Sequence, residues 1–227
     1  MNLDSWMADI RQQVDALLER FFESKMTEAD ALSPRAIELV TEVQDLTMRG
    51  GKRLRPIVTA AAFRAAHGPG AVEATFEVGA ALELLQTYLL IHDDWMDEDH
   101  ERRGGPAVHY AFRQKHGHAH LGASLGVLAG DLASTYSWEL FLQGRFPDDR
   151  WRDGSAVFVR IQKEVFAGQQ LDLMADENVE RMHDLKTGSY TTRGPAELGG
   201  LLANGTPQIM TALRDWSAPL GVAFQLR

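Results

Sequence analysis

One stretch decides the fold: residues 72–97, which read VEATFEVGAALELLQTYLLIHDDWMD. Its apolar residues recur at steps of three and four, which is the period of an α-helix. They cover most faces of that helix, so we expect it to lie at the centre of a helical bundle. A run of carboxylates closes the helix, and a polar break over residues 97–106 follows it.

The same helical period continues on both sides of this central helix. No alternating stretch of strand length stands out, and no glycine-rich loop follows a strand pattern. We therefore predict one all-α domain, residues 1–227, built from about ten helices. The other helices are expected over residues 3–22, from Pro34, from Pro56 to about His67, and over 107–115, 119–144, 150–175, 177–190, 194–203 and 206–227.

Composition and charge exclude several classes of protein. The 227 residues are 44% hydrophobic, which is ample for a folded core, and include no cysteine, which excludes disulfides and a thiolate nucleophile. The net charge of −9 repels polyanions, so we expect no binding to nucleic acid or to an anionic membrane. No run reaches the ~18 apolar residues that a membrane span needs, and the acidic residues near the start are unlike a signal peptide. We expect a cytoplasmic protein.

Three carboxylates cluster where the central helix ends. Asp93 and Asp97 are four residues apart and share a face of the helix, and Asp94 lies about 100° around it. Like charges at this spacing repel, and the dipole at a helix C-terminus also disfavours them. A bound cation would remove that penalty, and carboxylate oxygens suit the hard cation Mg²⁺. The alternative is a solvated acidic helix end.

Two basic segments offer sites for anions. The first, GGKRLRP at residues 50–56, places three cations in four residues ahead of a helix start, which favours phosphate binding over a flexible basic loop. The second contains Arg102 and Arg103, whose guanidinium groups point in different directions and could hold two different anions. The alternative for this pair is a salt bridge to Glu98 or Asp99. We expect Asp131, in an apolar stretch, to be a buried structural carboxylate.

Together these segments resemble the trans-isoprenyl diphosphate synthases, also called polyprenyl synthetases. The resemblance covers essentially the whole chain, and the motifs occur in the family's order and approximate spacing. They are GGKRLRP at 50–56, LIHDD at 90–94 with Asp97, RRGGP at 102–106, Gly168-Gln169 with Asp172, and Lys186-Thr187-Gly188. The resemblance implies an all-α bundle around a central cavity, a homodimer, and head-to-tail condensation of isopentenyl diphosphate with an allylic diphosphate.

The resemblance also implies roles for individual residues. Asp93, Asp94 and Asp97 are expected to bind Mg²⁺, with Mn²⁺ as the alternative cation, and through it the allylic diphosphate. The other residues expected at that diphosphate and in catalysis are Arg102, Lys186 and Thr187. The residues expected to hold isopentenyl diphosphate are Lys52, Arg55 and Arg103. Further substrate-binding positions are Gly51, Gln86 (where many relatives have histidine), Gln169, Asp172 and Gln225.

Product length in this family is set just before the first aspartate. Tyr88, the fifth residue before Asp93, is aromatic, whereas Leu89, the fourth, is not, and no residue is inserted within 93–97. This combination resembles the geranylgeranyl diphosphate synthases. We therefore predict geranylgeranyl diphosphate as product, with farnesyl diphosphate second. The alternative is that Tyr88 only packs in the core.

The end of the sequence departs from the family pattern. Relatives carry a second aspartate-rich motif directly after a Phe-Gln pair that matches Phe224-Gln225, and this sequence ends at Arg227. We expect the natural chain to continue, and an Asp-Asp-x-x-Asp downstream would support an enzyme. The alternatives are a non-catalytic, prenyl-diphosphate-binding subunit of a heteromeric synthase and a class I terpene cyclase. A cyclase uses one diphosphate and would not need the separate basic segment at 50–56.

Overall fold

The computed structural model describes residues 2–67 and 71–225, with side chains for 2–66 and 71–221. Within these ranges the β structure is one hairpin, β1 (Glu101–Arg102) with β2 (Gly105–Pro106), so the predicted all-α fold is confirmed. A 3₁₀ turn spans Val72–Thr75 and a π-helix spans Asp184–Arg193. The α-helices are α1 (Leu3–Leu32), α2 (Ile37–Met48), α3 (Leu54–His67), α4 (Phe76–Met96), α5 (Val108–His116), α6 (Ala119–Leu142), α7 (Trp151–Leu173), α8 (Val179–His183), α9 (Gly194–Leu202) and α10 (Pro207–Gln225).

Three elements differ most from the sequence prediction. Helix α1 extends to Leu32, ten residues beyond the predicted range 3–22, because its inward positions there are Lys25 and Ala29, which interrupt the strongly apolar pattern. Helix α2 begins at Ile37 rather than Pro34, because the preceding residues form a turn in which the Ala36 N–H donates to the Ser33 carbonyl at 2.8 Å. The pattern over 177–190 is not one α-helix, because α8 ends at His183 and the chain continues as the π-helix. A three-to-four step of apolar residues does not distinguish these two kinds of helix, which differ in hydrogen-bond spacing.

The chain forms two compact units. The first comprises residues 1–11, 53–79 and 143–227, and the second comprises residues 12–52 and 80–142. The second unit therefore contains the carboxylate-rich end of α4 and the hairpin, whereas the first contains the π-helix. The expectation of a single domain around a central cavity stays a prediction.

In the second unit, α4 is a core helix, as its sequence predicts. Leu82, Leu84 and Leu85 are fully buried. Its neighbours are fixed by hydrogen bonds: the Ser137 hydroxyl of α6 donates to the Ala81 carbonyl at 2.8 Å, and the hydroxyls of Thr47 and Thr87 lie 2.9 Å apart. Among the described residues, Val72–Met96 is the one helical stretch apolar and long enough to cross a bilayer, and 67% of its apolar window is buried in the protein. That burial is typical of a core helix.

In the first unit, two glycines let helices approach closely. A Cβ at Gly199 of α9 would lie 2.2 Å from the Thr59 carbonyl oxygen of α3. A Cβ at Gly168 of α7 would lie 2.3 Å from the backbone nitrogen of Lys186. Since real Cβ atoms do not come so close, glycine is required at both crossings. The second crossing fixes the π-helix against α7, and the predicted binding residues Asp172 and Lys186 lie beside it.

Candidate active site

The three aspartates at the end of α4 differ in exposure. Asp94 is fully buried, Asp93 is half-buried and Asp97 is exposed. The backbone holds the turn that follows α4, since the Asp97 N–H donates to the Asp93 carbonyl and the Asp99 N–H donates to the Asp94 carbonyl, both at 2.8 Å. The sequence does not distinguish the three residues, but in the structure only Asp94 of the three is fully buried.

Asp94 is paired with an arginine from the hairpin. The Arg102 Nε donates to the Asp94 Oδ1 at 2.6 Å, and the Arg102 Nη2 contacts that oxygen and the Asp99 Oδ2, the latter at 3.0 Å. The bridge to Asp99, given above as the alternative to anion binding, is therefore present, and the pair with Asp94 is an additional one. Burial raises the pKa of Asp94 to about 6, although the guanidinium opposes the rise.

The donor set fits a hard cation shared with a ligand. The carboxylates offer only oxygen, and the Oδ2 atom of Asp94 is buried without a hydrogen-bond donor. The part of the chain that the structure describes contains no group of three His, Cys, Asp or Glu side chains assembled around one point. Mg²⁺ commonly takes one or two carboxylates and completes its shell with water and phosphate oxygens. These residues therefore suit an ion bridged to a phosphate rather than a closed protein cage.

The hairpin lies against the basic loop that precedes α3. The Arg103 Nη1 donates to the Gly50 carbonyl at 2.9 Å, and a Cβ at Gly51 would lie 3.7 Å from that guanidinium. The tight turns have left-handed backbone at Gly50 (φ +89°) and Gly104 (φ +74°). Glycine adopts this conformation without strain, which explains its place in both motifs. The structure thus brings Gly51 and Arg103 together, and the exposed Lys52 follows Gly51 in the chain.

Earlier in α4, before the aspartates, the residue predicted to bind substrate is more deeply buried than the two predicted to set product length. Gln86 lies about two turns before Asp93, is buried, and has an Oε1 atom that accepts no hydrogen bond. Tyr88 and Leu89 are half-buried. The Tyr88 ring meets the His92 ring edge to face at 4.9 Å, and burial raises the pKa of Tyr88.

His92 fixes this end of α4 against α6. Its Nε2 lies 3.2 Å from the Val127 carbonyl oxygen, and a Cβ at Gly130 would lie 2.2 Å from the same nitrogen. The His92 ring therefore occupies space on α6 that is available only because residue 130 is glycine. Asp131, the next residue, was expected to be buried, and that prediction is wrong: its side chain is 64% exposed. It lies about 100° around α6 from the residue that faces α4.

In the first unit, Arg55 is held by the π-helix. Its Nη2 donates to the Thr191 hydroxyl at 3.0 Å, and its guanidinium lies 4.2 Å from the centre of the Tyr190 ring. Stacking on an aromatic ring orients the planar guanidinium. Arg55 and Lys52, expected to bind the same diphosphate, lie in different units.

The other predicted residues of the first unit lie where α7 meets the π-helix. The Lys186 Nζ donates to the Asp172 Oδ2 at 2.6 Å, so these two are brought together. Thr187 and Gln169 are half-buried neighbours of this pair in the chain. The Gln225 side chain lies outside the described residues. Sequence reasoning missed Arg49, whose signal was its position four residues after Asp45 and directly before Gly50.

Comparison with known proteins agrees with the resemblance. The polyprenyl synthetase family model matches residues 37–227. A short chain isoprenyl diphosphate synthase of Methanothermobacter thermautotrophicus is 30% identical over 195 residues, which cover 83% of this chain and 56% of that protein. A farnesyl diphosphate synthase of Geobacillus stearothermophilus is 30% identical over 247 residues, which cover 100% of this chain and 74% of that protein. The chain thus spans little more than half the length of the first of these curated relatives.

Solved structures share the fold. A geranylgeranyl pyrophosphate synthase from Corynebacterium glutamicum, complexed with isoprenyl diphosphate and magnesium, superposes with a TM-score of 0.89 at 28% identity. That match covers 100% of this chain and 68% of the other. With most of its length matched by the family model and all of it by a relative at 30% identity, the chain belongs to the polyprenyl synthetase family.

Proposed function

We propose that this chain belongs to a Mg²⁺-dependent trans-prenyltransferase that condenses isopentenyl diphosphate head-to-tail with an allylic diphosphate. The observation that carries the proposal is the fully buried Asp94, which follows Asp93 in the chain and is paired with Arg102 of the hairpin. A solvated acidic helix end would have no reason to bury a carboxylate and raise its pKa. Neighbouring Lys52 and Arg103 add the cationic groups that a second diphosphate requires.

The three aspartates Asp93, Asp94 and Asp97 would hold the cation, with Mn²⁺ as a substitute for Mg²⁺. When bound, the cation supplies charge neutralisation for a departing diphosphate. Arg102 lies at hydrogen-bond distance from the buried carboxylate and is only 28% exposed in its side chain. This contact and exposure support a role for Arg102 as a cationic donor to both Asp94 and a diphosphate oxygen.

The remaining residues bind and orient substrate. Lys52, Arg55 and Arg103 are proposed to hold isopentenyl diphosphate, with Gly51 giving close backbone approach and Gln86 offering its amide. Lys186 and Thr187 are proposed to bind the allylic diphosphate, with Asp172 fixing the lysine, and Gln169 and Gln225 to line the pocket. No side-chain nucleophile is required, because the diphosphate departs from the allylic carbon with its bonding electrons to leave a carbocation, and the alkene of isopentenyl diphosphate attacks that carbocation. The proton lost afterwards goes to the released diphosphate.

We further propose a short product, geranylgeranyl diphosphate first and farnesyl diphosphate second. The support is the half-buried Tyr88, one turn and a little more before Asp93 on the same helix. The enzyme is proposed to act as a homodimer in the cytoplasm, in line with its family. The relatives named as geranylgeranyl and farnesyl diphosphate synthases support both product lengths.

The direct test uses the full-length protein with labelled isopentenyl diphosphate and allylic diphosphates of increasing length. Chromatography of the dephosphorylated products should give prenyl alcohols with Mg²⁺ and none with a chelator. Binding is tested separately by titrating a non-hydrolysable allylic diphosphate into wild type and Asp93→Ala, with Mg²⁺ and with chelator. Tight binding is expected only for wild type with Mg²⁺. Equal affinity in all four titrations would show that the aspartates do not hold the cation.

A further inference from the structure

Two segments of the second unit carry the basic residues proposed there to bind diphosphate: the loop 50–52 and the hairpin 101–106. Arg49, the last residue before the loop, lies between them. Its side chain is only 13% exposed. An arginine buried to this extent is expected to use its donors, since an unpaired charge in the protein interior is costly.

The Arg49 guanidinium uses three nitrogen atoms on two sides. On one side, its Nε donates to the Asp45 Oδ2 at 3.0 Å, and its Nη2 contacts the same oxygen. On the other side, its Nη1 donates to the Pro106 carbonyl at 2.7 Å and to the Arg102 carbonyl at 3.3 Å. One planar group therefore ties helix α2 to both strands of the hairpin.

The hairpin is shaped to receive this group. A Cβ at Gly105 would lie 2.7 Å from the Arg49 Cζ, so glycine alone leaves room for the guanidinium. A second bond runs in the opposite direction, because the Arg103 Nη1 donates to the Gly50 carbonyl at 2.9 Å. Each segment thus contributes an arginine that binds backbone carbonyl oxygen of the other.

We propose that Arg49 is a positioning residue that sets the loop and the hairpin at a fixed separation, so that both diphosphate-binding groups are placed by one side chain. This inference rests on the proposed function for the roles of Lys52, Arg102 and Arg103. Arg49 itself touches carbonyl oxygens and a carboxylate, and it acts on substrate through these neighbours. Lysine cannot replace it, because an ammonium lacks the planar fork that reaches both sides.

The test compares Arg49→Lys and Gly105→Ala with wild type in the full-length protein. Gly105→Ala keeps every charged residue, and its added methyl group forces the Arg49 guanidinium to shift. Both variants are expected to raise the KM of both substrates and to lower kcat/KM by about 10- to 100-fold, the scale on which small misplacements act. Arg113→Lys, the same change at an exposed arginine of the second unit, serves as the matched control and is expected to change neither KM.

A second measurement, hydrogen exchange of the amides of residues 101–105 without substrate, tests the tie itself. Exchange is expected to be at least about tenfold faster in Arg49→Lys than in Arg113→Lys, with the rest of the second unit unchanged. Unchanged exchange, full activity of Arg49→Lys, or a KM effect on one substrate alone would overturn the proposal. A wild-type protein that forms no prenyl product would overturn the proposed function instead, and the exchange measurement would still decide the role of Arg49.

Discussion

Each unit contains a cation paired with a carboxylate beside a helix, and the two pairs differ in burial. In the second unit, Asp94 has no exposed surface and Arg102 is 28% exposed in its side chain. In the first unit, Asp172 and Lys186 are 38% and 22% exposed. Water screens the attraction between Asp172 and Lys186, so this pair contributes little to stability. The buried pair is therefore part of the core and of the candidate site at once, whereas the more exposed pair can be broken at little cost.

The largest expected effect separates the two pairs by stability. Arg102→Ala should lower the free energy of unfolding at pH 7 by about 3 kcal/mol, because it removes the hydrogen-bond partner of a buried carboxyl, and protonation of Asp94, whose pKa is about 6, limits the loss. Lys186→Ala should lower it by about 1 kcal/mol or less, as for pairs near the surface. Urea unfolding of the full-length protein, followed by circular dichroism, measures both. Equal losses would mean that burial does not distinguish the pairs.

The buried pair should also make stability depend on pH. The pKa of Asp94 is raised by burial to about 6 from its ordinary value of 3.8, so the folded state holds this proton more tightly than the unfolded state. Its contribution is complete below about pH 4 and is lost as the pH rises through about 6, a change of about 3 kcal/mol. Urea unfolding between pH 4 and 7 without Mg²⁺ should show this decline in wild type. Asp94→Asn, which has no proton to lose there, should lack it.

One basic residue from each unit, Lys52 and Arg55, is expected to contribute to substrate affinity. Lys52→Ala and Arg55→Ala should each raise the KM for isopentenyl diphosphate by about 10- to 100-fold, since a hydrogen bond between charged groups contributes roughly 1.5–3 kcal/mol. The KM for the allylic substrate should change less. Lys163→Ala, at an exposed lysine of α7, is the matched control. If the allylic KM rises instead, the two substrates are assigned to the wrong residues.

The smallest expected effect concerns product length. Tyr88→Ala should lengthen the products of the full-length enzyme, because removing the ring opens space beside α4 about one and a half turns before Asp93. Total turnover should change little. Leu89→Ala, at the adjacent non-aromatic position, is the control and should change the distribution less. Chromatography of the dephosphorylated alcohols measures both. An unchanged distribution in Tyr88→Ala would mean that its ring contributes only to packing against His92.

The sequence predicts α4 and its acidic end because a long apolar period and its abrupt stop are local signals. It cannot reveal that Asp94 rather than Asp97 is buried, since that depends on where the hairpin brings Arg102. The contacts of Arg49 cannot be predicted from the sequence either, because its partners Arg102 and Pro106 are more than fifty residues away in the chain. Asp131 shows the opposite error: an apolar neighbourhood in sequence says little about which side of a helix a single residue occupies.

The π-helix makes the number of residues between Asp184 and Arg193 as important as their identity. Its hydrogen bonds span one residue more than those of an α-helix, so each turn of the segment contains more residues than an α-helical turn. Deleting one residue there would let it relax to an α-helix and would turn the residues on one side of the deletion by about 100° relative to those on the other. Lys186 and Thr191 lie toward opposite ends of the segment, and their relative direction is fixed by this count. Insertions and deletions, more than substitutions, are thus the changes that this part of the molecule would tolerate least.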